Sequence, residues 1–179
     1  MIFSIVQENP IVGALSYNLS LIETALKNSE PGLLVFSECF LTGYPPKDLL
    51  LSKPFLNKLK AAISDLLVMS KRFPQHSILL GSPFEEKANL YNAVLLIENG
   101  MIIEKRFKQL LPEYDVFEEK RYFKAADENA PIVYKDVSLG VLVCEDGWSI
   151  SENSPTSELK KQGIDLLINL SASPFNAGK

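Results

Sequence analysis

Three residues far apart in the chain have the side-chain types that acyl transfer needs: a thiol at Cys144, a carboxylate at Glu38 and an ammonium at Lys108. A thiol attacks only as thiolate, so it needs a group to take its proton, and histidine is the usual one. The single histidine, His76, lies between Arg72-Phe73-Pro74-Gln75 and the start of an apolar run. That is a helix-to-strand connection, at the end of the layer remote from the strand C-termini, and His76 reads there as an ordinary surface residue. The proton of Cys144 must then go to a carboxylate or an amine.

Two of the candidates, Cys144 and Glu38, sit where an apolar run gives way to polar residues. Cys144 follows Ser138-Leu139-Gly140-Val141-Leu142-Val143 and precedes Glu145-Asp146-Gly147-Trp148. Glu38 follows Leu33-Leu34-Val35-Phe36-Ser37. Open α/β sheets place their sites at such carboxyl ends of strands. A carboxylate there is partly desolvated, which raises its proton affinity toward the range useful for a base, while a nearby cation pulls it back. Lys108, in Lys105-Arg106-Phe107-Lys108-Gln109-Leu110-Leu111-Pro112, can offer an ammonium to a developing oxyanion and favour the thiolate. Singly, each has an ordinary explanation: a buried cysteine acting as a small hydrophobe, a glutamate capping a turn, a lysine on a solvated face. The joint pattern carries the reading.

The elements that must position these groups follow from periodicity and turn signals. Ile2 to Val6 reads as a strand, Leu15, Leu19, Ile22, Ala25 and Leu26 recur at helical spacing, and Asn28 to Gly32 stops that helix. Leu33 to Phe36 is wholly apolar, the pattern of a strand covered on both faces. Thr42 to Asp48 is a Pro- and Gly-containing loop, Phe55 to Arg72 a second helix and Ser77 to Gly81 a strand. Tyr91 to Glu98 and Met101 to Lys105 flank Asn99-Gly100, a strong hairpin signal. Residues Phe107 to Asp127 lack a clean period and read as a long ordered loop carrying function. Val137 to Val143 is a strand, Ser157 to Lys161 helical, and Asp165 to Leu170 the last strand. A mixed sheet covered by helices is expected, of class α/β or α+β.

Composition excludes several alternatives. The 179 residues are 46% hydrophobic, enough for one domain that buries roughly 70% of its unfolded surface. The net charge of -4 comes from 22 acidic and 18 basic residues interspersed along the chain, which argues against nucleic acid as a partner. Apolar runs fall short of the ~20 residues that span a bilayer. The N-terminal Met1 to Val6 has no basic leader or cleavage site, so a cytoplasmic protein is expected. Two cysteines and one histidine make neither a disulfide framework nor a zinc site. The last strand is followed directly by Asn176-Ala177-Gly178-Lys179 with no closing element, which reads as a truncated chain.

Three blocks in order carry a resemblance over the whole chain: Phe36-Ser37-Glu38-Cys39-Phe40-Leu41-Thr42-Gly43-Tyr44-Pro45-Pro46-Lys47-Asp48-Leu49-Leu50, the stretch Lys108 to Phe123, and Gly140 to Trp148, supported by Ile168 to Phe175. They resemble the nitrilase (carbon-nitrogen hydrolase) superfamily and, within it, the N-terminal glutaminase domains of glutamine-dependent NAD synthetases, whose Gly-Tyr-Pro-Pro-x-Asp-Leu-Leu tract recurs here. The resemblance implies a nitrilase-like four-layer αββα sandwich, truncated on its C-terminal side, with residues 1–179 as one incomplete domain. It implies that Glu38 is general base, Lys108 stabilises the tetrahedral intermediate and Cys144 forms a thioester with glutamine. Tyr114, Ser173 and Lys179 fall on positions that hold the substrate, Tyr44 lies near that pocket, and the Glu145 backbone N–H is expected to face the oxyanion. No cofactor is implied for this domain; ATP, Mg and deamido-NAD are implied for a synthetase domain that these residues do not include, and a homo-oligomer for the full-length protein. A stand-alone amidase of ω-amidase or carbamoylase type, or a catalytically silent binding or oligomerisation module, remain open at this point.

Overall fold

The computed structural model describes residues 1–149 and 151–173. The elements follow in the order β1 (Phe3–Ile5), α1 (Leu15–Asn28), β2 (Leu33–Val35), α2 (Lys53–Ser70), β3 (Ser77–Glu86), β4 (Asn89–Glu98), β5 (Met101–Phe107), β6 (Ile132–Tyr134), β7 (Val137–Val143), α3 (Pro155–Lys161) and β8 (Leu166–Leu170). Short 3₁₀ turns occupy Lys47–Leu51, Glu119–Arg121 and Cys144–Gly147. No helix among the described residues is long and apolar enough to cross a membrane.

Two sheets form rather than one. The larger has the order β1-β2-β3-β4-β5, parallel across β1, β2 and β3 and antiparallel across β3, β4 and β5. The smaller has the order β6-β7-β8, with β7 and β8 parallel. Alternation along the strands assigns the faces. On β4, Ala93, Leu95 and Ile97 join a core with Ile22 and Leu26 of α1 and Leu59, Ile63 and Leu66 of α2. Val94 and Leu96 point the other way and meet Leu139, Val141 and Val143 of β7. Helices, sheet, sheet and the short α3, packed against β7, are the four layers of the αββα sandwich.

Local chemistry explains the boundaries. Ser52 caps α2 by accepting the Phe55 N–H, and Ser154 caps α3 by accepting the Ser157 N–H, each with proline in the first turn. Asn99 (φ +43°) and Gly100 (φ +83°) make the expected hairpin turn between β4 and β5. A second hairpin, β3 to β4, turns on Lys87 (φ +48°) and Ala88 (φ +63°). The sequence reading misses it and ends β3 at Gly81, because neither residue favours a positive φ; the ten-residue ladder between β3 and β4 imposes it. The three-residue strand β6 is likewise absent from the sequence reading.

His76 is a correction. It does lie at the start of β3, opposite the strand ends that carry Glu38 and Cys144, but it is only 4% exposed rather than on the surface. The turn that bonds its N–H to the Phe73 carbonyl folds the imidazole against the Phe73 ring, 6.3 Å away between centroids. Burial pushes its proton affinity down.

Close approach of two strands then fixes one end of the site. A Cβ on Gly81 of β3 would lie 2.2 Å from the Ser37 carbonyl oxygen and 2.7 Å from the Glu38 Cα, both backbone atoms that cannot step aside. Gly81→Ala is therefore expected to cost about 3 kcal/mol, the upper end for overpacking, and to displace Glu38. Chemical denaturation checks this; a variant as stable as the parent removes the argument.

Candidate active site

Direction of the strands gathers the candidates at one edge. Two antiparallel reversals make β5 run the same way as β2, so Glu38, just past β2, and Lys108, just past β5, leave the large sheet on the same side. Glu38 and Lys108 are each 1% exposed. Lys108 Nζ donates to Glu38 Oε1 at 2.8 Å and to Glu119 Oε1 at 2.9 Å, with Glu119 Oε2 also 2.9 Å away. Burial by itself would push the ammonium down, but the two carboxylates outweigh it and hold Lys108 above its ordinary range. Burial pushes Glu119 up, with Lys108 opposing. Tyr44 closes the cluster, its hydroxyl donating to Glu119 Oε1 at 2.9 Å.

Cys144 comes to the same edge from the small sheet. It begins the turn after β7 at φ +43°, a left-handed conformation that costs about 1–2 kcal/mol for a non-glycine residue. The thiol is 6% exposed and its Sγ lies 3.9 Å from Ser173 Oγ. The preceding residue, Ala172, donates its N–H to Glu38 Oε2 at 3.2 Å. Two consecutive residues past β8 thus touch the carboxylate and the thiol. Burial raises the Cys144 proton affinity, the Glu38 charge raises it further and Lys108 opposes. At neutral pH this sulfur carries its proton.

A buried carboxylate ties the two loops together. Asp146, 0% exposed, accepts the N–H groups of Gln109 (3.1 Å) and Leu110 (2.7 Å), just after Lys108, and that of Val143 (3.4 Å), just before Cys144. Burial pushes its pKa up to about 6, against the pull of those three donors.

Two cavities are lined by neighbours of Cys144. One, of about 520 Å³, is lined by Glu38, Tyr44, Ser171, Ala172 and Ser173 among others. The other, of about 590 Å³, is lined by Leu111, Tyr114, Phe123 and Glu145. The expected substrate residues are therefore divided: Tyr44 and Ser173 face the first, Tyr114 and Glu145 the second, where the Tyr114 hydroxyl donates to Glu145 Oε2 at 2.7 Å. Lys179 lies outside the described residues.

Comparison with known proteins identifies the family. The carbon-nitrogen hydrolase family model matches residues 4–179. The chain belongs to the carbon-nitrogen hydrolase family. Glutamine-dependent NAD(+) synthetases from Synechocystis sp. and Thermotoga maritima are 38% and 36% identical to it, each match covering 98% of this chain but only 34% and 31% of the relative. The structure of a glutamine-dependent NAD+ synthetase from Acinetobacter baumannii in complex with adenosine diphosphate superimposes with a TM-score of 0.87 at 26% identity, over 98% of this chain and 33% of that one. The chain spans about a third of the length of the curated relatives it matches.

Sequence reasoning missed two members of this carbon-nitrogen hydrolase's cluster. Glu119 lies in the stretch assigned to a functional loop, but one glutamate among Glu113, Glu118 and Glu119 gives no sign of which is buried. Asn92 is fully buried on β4, its Nδ2 donating to Glu38 Oε1 at 2.8 Å. A polar residue inside the otherwise apolar run Tyr91-Asn92-Ala93-Val94-Leu95-Leu96 was the available signal.

Asp146 gives the hydrolase a pH signature. Its folded-state value of about 6 lies above the ordinary aspartate value of 3.8. Such a group stabilises the fold most below pH about 4, and the contribution, about 3 kcal/mol, is lost as pH rises through about 6. Urea unfolding from pH 4 to 7 should show the stability difference, parent minus Asp146→Asn, shrinking toward neutral pH. Parallel curves would contradict it.

Proposed function

We propose that residues 1–179 form the glutaminase domain of a glutamine-dependent NAD synthetase, cleaving the side-chain amide of glutamine through a Cys144 thioester. The observation that carries the reading is the buried Glu38–Lys108–Glu119 cluster, joined to the Cys144 thiol through Ala172 and Ser173, in a chain whose most similar relatives include such synthetases.

The chemistry follows from the protonation states. The Cys144 thiol is neutral at rest, so Glu38 takes its proton as the sulfur attacks the amide carbon. The Lys108 ammonium and the Glu145 backbone N–H meet the oxyanion, each donor worth about 3 kcal/mol in a site closed to water. Glu38 returns the proton to the departing nitrogen and ammonia leaves. A water then gives a proton to Glu38 and attacks the thioester; glutamate departs and the sulfur recovers its proton, so one water is consumed per ammonia released. Tyr44, Ser173, Tyr114, Glu145 and Lys179 are assigned to the substrate pocket. Glu119 is assigned the task of holding Lys108 charged and aimed.

ATP, Mg²⁺ and deamido-NAD belong to the amidation step of a synthetase. Among the described residues no group of three His, Cys, Asp or Glu side chains could hold a metal ion, and we assign no residue here to those molecules. A cytoplasmic setting and association of copies through the sandwich faces complete the proposal.

Cys144→Ala and Glu38→Gln should each lower ammonia release from glutamine by about 10³-fold or more, and Glu119→Gln by about 10–100-fold. A thiol-reactive glutamine analogue should modify Cys144 and spare Cys39, which is fully buried. Substantial turnover by Glu38→Gln, or equal slow labelling of both thiols, would overturn the assignment and favour a silent binding module.

A further inference from the structure

Glu38 has two oxygens and only one can serve as the base. Oε1 accepts two hydrogen bonds, from Lys108 Nζ and from Asn92 Nδ2, both at 2.8 Å. Oε2 accepts one among the described residues, from the Ala172 N–H at 3.2 Å. An ionised carboxylate oxygen holding a cation and an amide has little capacity left, whereas Oε2 keeps a free lone pair. Oε2 is also the oxygen held beside Ser173, whose hydroxyl neighbours the Cys144 sulfur.

Asn92 makes this division. A carboxylate only accepts hydrogen bonds, so the NH₂ side of the amide must face Glu38. The Oδ1 side is then left to Cys39, whose Sγ lies 3.5 Å away and donates to it. The thiol of Cys39, fully buried and pushed well up by burial, is a donor that keeps its proton. The main chain of Asn92 acts on the other partner: its carbonyl accepts the Lys108 N–H at 2.9 Å. The β4–β5 ladder pairs Ala93 with Phe107, so this bond extends the sheet by one residue and sets where Lys108 departs from it. One fully buried residue thus fixes the carboxylate by its side chain and the ammonium by its backbone.

We propose that Asn92 is a positioning residue that saturates Glu38 Oε1 and so reserves Oε2 for the proton of Cys144. This rests on the reading of Glu38 as the base. Without the Nδ2 donor, the carboxylate is free to rotate toward Lys108 and share both oxygens with it, and Oε2 leaves the thiol.

Asn92→Leu keeps the branched shape, with larger groups, and removes the donor; Asn92→Ser removes it while leaving a hydroxyl and room for a water. Kinetics on glutamine should show kcat reduced by about 10–100-fold for Asn92→Leu with KM within about threefold, and a smaller loss for Asn92→Ser, since misplacing a reacting group by about 1 Å costs that much. Alkylation of Cys144 by iodoacetamide at neutral pH should slow in the same order, with both proteins unfolding cooperatively above the assay temperature. A void alone would make Asn92→Ser, the smaller side chain, the worse variant, and overpacking by leucine would show as a lowered unfolding temperature. The proposal fails if both variants keep kcat and alkylation within threefold of the parent, if the loss appears in KM instead, or if the serine variant is the slower. A parent that releases no ammonia, yet whose alkylation depends on residue 92 in the expected order, would count against the glutaminase reading and leave the positioning role standing.

Discussion

A lysine ammonium enclosed between two carboxylates governs the rest of this structure. Taking Lys108 out of water costs several kcal/mol, and removing either carboxylate would leave a buried charge short of a partner. Glu38 and Glu119 are separated by 81 positions, so the charge can be satisfied only if the end of β2, the end of β5 and the 3₁₀ turn at Glu119–Arg121 meet at one point. Strand pairing brings the two strand ends to one edge but does not bring the Glu119 turn there. The ion cluster does, and the Tyr44 hydroxyl and Asn92 amide supply donors for carboxylate lone pairs that the ammonium alone leaves open.

Sheet geometry makes the meeting affordable. Parallel pairing of β1, β2 and β3, with two hairpins after β3, brings the ends of β2 and β5 and the start of β4 to the same edge. The parallel pair β7 and β8 does the same for Cys144 and the Ala172–Ser173 segment. The apolar layer between the sheets, Leu33, Leu79, Val94 and Leu96 against Leu139, Val141 and Val143, sets the distance across which they face each other. Two residues just beyond strands, Cys39 at φ +47° and Cys144 at φ +43°, turn the chain sharply as it leaves the sheets. Backbone strain of this kind persists only where surroundings over-determine it, and Asp146, bonded to the Val143 N–H just before Cys144 and to the Leu110 N–H of the facing loop, is part of that determination.

Much of this is legible in the amino-acid order, for physical reasons that also mark the limits. Both long helices, the doubly covered strand at Leu33 and the Asn99-Gly100 hairpin are local features with local signals, and they recur within a few residues of their expected bounds. The Lys87-Ala88 turn and strand β6 have no local signal: long-range pairing imposes them. That two sheets form rather than one is not written in periodicity, and only the family blocks implied the sandwich. Glu38 and Cys144 stand at transitions from apolar to polar sequence, and Lys108 follows shortly after a hairpin strand, so the three could be named together in advance. Asn92 left a signal that was missed, a polar residue inside an apolar run, whereas Glu119 could not be named, because its burial depends on what packs over it. His76 was misjudged for the same reason, its polar neighbours concealing a ring folded onto Phe73.

The absence of imidazole from this cluster changes what the resting site can be. In a cysteine–histidine pair the proton passes to a group that becomes a cation, and the resulting ion pair stabilises the thiolate before substrate arrives. Here the proposed acceptor is an anion, and its field raises the proton affinity of the sulfur it is to deprotonate, opposed by the Lys108 ammonium that the same carboxylate binds. A stable thiolate beside Glu38 is therefore disfavoured. Transfer becomes favourable only as negative charge moves from sulfur to the substrate oxygen, where the ammonium and a backbone N–H can receive it. The cost is a less reactive nucleophile at rest. On the proposed reading the compensation is a thiol, 6% exposed and short of thiolate character, that offers little to oxidants.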